Sequence, residues 1–121
     1  MKILGLPGVK FETHQSMQDL LSDLHVPPYE FLVAHYRHWT NGQDPDVNYE
    51  ACCHANKLVD FVIAKSLGTY ISTIAFDSFN FRPQKAVFIG TPIKRHSENN
   101  FELLLNFARS VPTVFLSLIH I

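Results

Sequence analysis

Short apolar runs alternate with amphipathic stretches along this chain, and that alternation is the feature that most restricts its fold. Residues 2–6 (KILGL) read as a buried strand that ends at Pro7-Gly8. From Ser16 to His25, Met17, Leu20, Leu21 and Leu24 recur at i, i+3, i+4 and i+7, one apolar helix face; Ser16 followed by Asp19 resembles a capping box. Val26-Pro27-Pro28 stops that helix. Tyr29 to Tyr36, rich in aromatic and β-branched residues, is a second strand, and Asn41 to Pro45 a turn cluster. A short helix over Val47–Asn56 precedes a third strand, Leu58 to Ala64, apolar apart from Asp60. Leu67 to Phe76 is helical, Arg82-Pro83 breaks the connection, and Ala86–Ile89 is the fourth strand. Glu98 to Arg109 forms another amphipathic helix through Phe101, Leu104, Leu105 and Ala108, before a fifth strand opens at Val111-Pro112-Thr113-Val114-Phe115. Strict strand–helix alternation predicts a doubly wound three-layer α/β/α fold with a parallel five-stranded sheet.

Composition narrows the class further. At 121 residues the chain is of single-domain size. Its net charge of −1 offers no broad electrostatic footprint for nucleic acid or an anionic membrane. No apolar run approaches the roughly 18 residues of a span, and MKILGLPG is too short and too weakly basic for a signal peptide. Cys52 and Cys53 are adjacent, so they neither staple a fold nor show the spacing of a metal site; they read as small buried apolar residues. The expectation is a soluble, cytoplasmic domain without metal or cofactor.

Chemistry concentrates where the third strand meets the following helix. Ala64-Lys65-Ser66-Leu67-Gly68 is a strand–turn–helix junction with small residues two before and two after a serine. A sharp turn there lifts the hydroxyl to the carboxyl edge of the sheet, while the small flanking residues avoid clashes between strand and helix. The pattern is A-x-S-x-G, one methyl group from G-x-S-x-G. The backbone N–H of Leu67, at a helix start, would face a developing oxyanion and gain from the helix dipole. The loop after the first strand, Pro7-Gly8-Val9, would supply a second donor from Val9, or from Gly8 one position away. The bland alternative is that Ser66 is a simple N-cap and Pro7-Gly8 a plain turn.

Together these segments resemble the α/β-hydrolase superfamily, specifically small members that begin at the superfamily's third strand. KILGLPG resembles its strand and oxyanion loop, FVIAKSLGT its strand, elbow and helix, KAVFIGTP the next strand and SVPTVF the one after. The resemblance spans residues 1–115 and implies strand order 2-1-3-4-5 in this chain's numbering. It also implies a serine hydrolase acting on an ester, thioester or amide, a small-molecule acyl substrate, with Ser66 as nucleophile and chain order serine, acid, histidine.

The helpers are harder to place. After Ser66 the carboxylates are Asp77, Glu98 and Glu102, and His96 is the one histidine before the tail. Asp77 falls late in the helix after the elbow and Glu102 within a helix, while Glu98 and His96 stand in reversed order. The last six residues, Leu116 to Ile121 (LSLIHI), resemble a translation of CTG-TCT-CTT-ATA-CAC-ATC, a transposase adapter end used in DNA library preparation. On that basis the two resemblances imply that 1–115 is a partial, incomplete α/β-hydrolase domain and 116–121 a non-native tail. His120 is then not recruited, the acid and histidine lie beyond Phe115, and the present chain is expected to be inactive.

Other features carry weaker alternatives. His35-Tyr36-Arg37-His38-Trp39, at the end of the second strand, offers Trp39 to stack on substrate and Arg37 to hold an anionic group; an aromatic plug with a snorkelling arginine is the bland counterpart. In a strand His35 and His38 point to opposite faces, which argues against a shared metal. Lys65 reads as a solvated lysine. Ala64-Lys65-Ser66 echoes the end of a phosphate-binding loop but lacks its glycine-rich lead-in. A non-catalytic interaction protein on the same scaffold is the rival in a different class.

Overall fold

The computed structural model describes residues 1–24, 29–91 and 98–116, the side chains of 98–100 excepted. The stretch around Pro27-Pro28, His96, and residues 117–121 lie outside it. In chain order the elements are β1 (Lys2–Leu6), α1 (Glu12–Ser22), β2 (Glu30–Val33), α2 (His38–Asn41) and α3 (Val47–Ala55). They continue with β3 (Phe61–Lys65), α4 (Leu67–Phe79), β4 (Lys85–Ile89), α5 (Glu98–Ser110) and β5 (Thr113–Leu116).

Among the described residues the strands form one all-parallel sheet in the order β2-β1-β3-β4-β5, as the alternation predicts. Register is set by in-and-out alternation: Leu6 stands beside Ala64, and Ala64 beside Phe88. Leu4, Leu6, Val62, Ala64, Ala86 and Phe88 point to one face, where Ile71, Ile74, Leu104 and Phe107 pack on them. Ile3, Phe61 and Ile63 point to the other face, against Met17 and Leu21 of α1. Right-handed crossovers explain the division. The β1-to-β2 connection runs one way along the sheet and the later ones run the other, so α1 takes one face and α3, α4 and α5 the opposite one.

One helix does not span five strands. Beyond α1 the second face lies open among the described residues, with an apolar groove of about 390 Å³ between Leu24, Tyr29, Phe61, Ile63 and Val87. Val114 and Leu116 on β5 remain 56% and 48% exposed. Parallel sheets ordinarily bury both faces.

Several boundaries differ from the sequence reading. Helix α1 starts at Glu12 and not Ser16, because a tight turn in which Thr13 bonds the Lys10 carbonyl coils straight into it. Ser16 therefore caps nothing; its hydroxyl donates back to the Glu12 carbonyl at 3.3 Å. Leu20 and Leu24 stay partly exposed, since only Met17 and Leu21 meet the sheet. Strand β2 ends at Val33, and His38 opens the short α2, where a single strand to Tyr36 was expected. The cysteines reverse expectation too. Glu50, Ala51 and His54 form the inward face of α3, which turns Cys52 and Cys53 outward into exposed positions. Leu116, first of the six tail residues, completes β5 and accepts the Gly90 N–H at 2.8 Å. Backbone pairing of this kind is indifferent to side-chain identity.

Candidate functional site

In this strand order the connections leave β1 and β3 in opposite directions, so a crevice opens between their carboxyl ends. The two loops singled out in the sequence meet at that crevice. A Cβ built on Gly8, just past β1, would lie 3.7 Å from the Ser66 Cβ, just past β3.

Ser66 itself adopts φ 50° and ψ −110°, a region that residues with a side chain rarely enter. Its neighbours hold it there. Its N–H donates to the Ile89 carbonyl at 2.9 Å, and its carbonyl accepts both the Thr69 N–H and the Thr69 hydroxyl, at 3.0 and 2.6 Å. Its own hydroxyl caps no helical N–H, so the simple N-cap alternative does not describe it. The sharp turn needs α4 to pass hard against β1, and Gly68 provides the clearance: a Cβ at that position would fall 2.1 Å from the Leu6 carbonyl oxygen. Lys65 is exposed beside the turn, as expected.

Leu67 is the first residue of the 13-residue α4, where backbone N–H groups have no intrahelical acceptor and the positive end of the helix dipole lies. Across the crevice, the Val9 carbonyl is gripped by two donors, Trp39 Nε1 and His38 Nε2, each at 2.7 Å. This grip requires the His38 tautomer protonated at Nε2. It fixes the peptide that follows Val9 and, through it, the loop that carries Gly8.

Tyr36 braces the loop from beneath, its buried hydroxyl donating to the Pro7 carbonyl at 2.6 Å. Burial, with the Glu50 carboxylate nearby, holds the Tyr36 phenol well above its ordinary pKa, so it remains a donor. Glu50 is itself buried and accepts the Arg37 N–H at 2.8 Å. One turn on, His54 faces Glu50 with Nε2 3.5 Å from Oε2, while its Nδ1 meets Lys57 Nζ at 2.8 Å. Burial first, and the Lys57 charge second, lower the His54 pKa to about 4.

The two pocket candidates part company. Trp39 stands over the oxyanion-loop candidate. Arg37 turns toward α3, with its guanidinium 3.3 Å from Asp46 and 3.6 Å above the Tyr49 ring. Asp77 is exposed late in α4, away from the carboxyl edge, as the sequence placed it. Among the described residues, no histidine or carboxylate hydrogen-bonds the Ser66 hydroxyl, and no cluster of three metal-ligating side chains occurs.

Sequence reasoning placed His35 beside Trp39 but missed Phe11 and His14. Phe11, His14 and His35 gather round its indole with ring centroids 5.5, 5.8 and 5.1 Å away, all nearly perpendicular to it. These residues come from the loop after β1, from α1 and from the segment that follows β2. No periodicity links Phe11 and His14 to Trp39, so no local signal could have found those two. No family model, no curated protein and no solved structure matches this chain.

Proposed function

We propose that the chain carries the nucleophile half of a serine hydrolase of the α/β-hydrolase type, acting on an ester, thioester or amide. The observation that carries this reading is the backbone of Ser66, held at φ 50° and ψ −110° between β3 and α4, at the crevice where Gly8 approaches it. Strain of this kind costs about 1–3 kcal/mol and persists where the surroundings impose it. A strained serine on a strand-to-helix turn presents its hydroxyl outward, as acyl transfer requires.

In the proposed reaction Ser66 Oγ bonds to the substrate carbonyl carbon, its proton passes to an imidazole, and the carbonyl electron pair moves onto oxygen. The N–H groups of Leu67 and of Val9 or Gly8 stabilise that oxyanion. Its collapse breaks the bond to the leaving group, which takes the proton back from the imidazolium, and water then releases the acyl group by the same route. The resemblance implies serine, acid, histidine in chain order, so the acid and the histidine belong to sequence that follows Phe115 in the natural protein. The 121-residue chain is then inactive.

Two experiments test the proposal. Sequencing the genomic DNA past the Phe115 codon should reveal an aspartate soon after β5 and a histidine in a later loop; a stop codon directly after Ile121 contradicts the truncation. Labelling of the full-length protein by a serine-reactive fluorophosphonate should vanish in Ser66→Ala. Unchanged labelling refutes the nucleophile, and no labelling of the wild type favours the non-catalytic interaction protein.

A further inference from the structure

We infer that the patch formed by Phe11, His14, His35 and Trp39 is a subsite for an aromatic group of the substrate, which makes the substrate class aryl-bearing esters, thioesters or amides. This assignment rests on the hydrolase reading for its chemistry, although binding at the patch does not require turnover.

Three observations carry it. The first is exposure: Phe11 is 59% exposed, a large apolar ring on the loop that runs from β1 past the crevice into α1. The second is geometry. Phe11 and His14 stand parallel to one another, 6.4 Å between centroids, and both meet the Trp39 indole edge-on. His35 closes the group, 5.1 Å from Trp39 and 5.9 Å from His14. Perpendicular ring contacts are the arrangement that aromatic quadrupoles favour, so a further ring docks on the exposed Phe11 side by the same rule. The third is donor supply. Neither the His14 nor the His35 ring has a hydrogen-bond partner among the described residues. In either tautomer each neutral imidazole has one N–H and one acceptor nitrogen to offer the polar atom attached to a bound ring.

The patch is fixed to the reaction centre by named bonds. Trp39 Nε1 holds the Val9 carbonyl at 2.7 Å, and Gly8, the preceding residue, is the one that approaches Ser66. A ring seated on Phe11 and Trp39 therefore lies along the loop that leads to the nucleophile. The apolar groove of the open sheet face is lined by residues at the amino ends of the strands, among them Met1, Phe61 and Lys85, and does not compete for this role.

The test uses the 121-residue chain and its single tryptophan, Trp39, whose emission reports on the patch. Benzyl alcohol and its saturated counterpart cyclohexylmethanol serve as probes. Benzyl alcohol should change the Trp39 emission saturably and bind at least about threefold more tightly than cyclohexylmethanol, the margin that ring–ring contacts add over equal apolar area. Phe11→Ala, an exposed position whose loss leaves the core intact, should remove that preference. Equal affinity for the two alcohols, no saturable change, or an undiminished preference in Phe11→Ala overturns the assignment. Fluorophosphonate labelling reads the nucleophile separately, so loss of labelling in Ser66→Ala together with no aromatic preference rejects the subsite and keeps the hydrolase.

Discussion

The carbonyl oxygen of Leu6 lies where a side chain at residue 68 would begin, 2.1 Å from the position of a Cβ on Gly68. The obstacle is backbone of the interior strand β1, which has no rotamer to give. Gly68→Ala must push the start of α4 away from the sheet, and the turn at Ser66 moves with it. Overpacking ordinarily costs about 1–3 kcal/mol. We expect the upper end of that range or loss of folding, measured by denaturant titration, and a cost below about 1 kcal/mol would show that the close approach is wrong.

Ser66 and an alanine in its place share the same backbone penalty at φ 50°, whereas glycine does not. Ser66→Gly should therefore be more stable than Ser66→Ala by about 1 kcal/mol, after allowing for the extra freedom glycine gives the unfolded chain. Comparison of the two midpoints in urea checks this. Equal stabilities would mean that the turn relaxes in solution.

Two donors serve one acceptor at Val9, which makes their loss non-additive. Trp39→Phe and His38→Ala each leave the carbonyl one partner and should each cost about 1 kcal/mol. Removing both leaves it none. The double variant should exceed the sum of the singles by at least about 0.5 kcal/mol in a double-mutant cycle, and strict additivity would argue against a shared grip.

His54 makes stability depend on pH. Its pKa falls from 6.5 to about 4 in the folded protein. Between those values the unfolded chain binds a proton that the folded one refuses, so stability rises with pH across the window and is lost as pH falls from 6.5 toward 4. The ceiling on this loss is about 3 kcal/mol. The Glu50 carboxylate facing Nε2 at 3.5 Å favours the imidazolium and reduces it. Urea titrations of wild type and His54→Gln across that range should differ in slope, with the wild type the steeper; parallel curves would contradict the assignment.

Most of the fold was legible because its signals are local. The apolar runs at 2–6 and 86–89 and the repeat through Leu104 and Leu105 are carried by near neighbours, and crossover handedness turns their order into a sheet. The same repeat misplaced one ring of α5, since Phe107 is buried and the expected Phe101 is exposed. Element ends were less legible. The start of α1 depends on a turn that Thr13 stabilises, and the end of β2 on a chain that leaves the sheet to let Tyr36 reach Pro7. Burial at Cys52 and Cys53 was misjudged because residue type predicts it only when the inward side of the helix is known.

By itself the sequence determined an alternating parallel α/β sheet and a serine between small residues at a strand-to-helix turn. Those features follow from local steric and hydrophobic preferences. Tertiary structure alone decided that Ser66 sits at positive φ beside Gly8, and that Phe11 and His14 join His35 around Trp39. Such meetings depend on which way each connection crosses the sheet and how closely its layers approach.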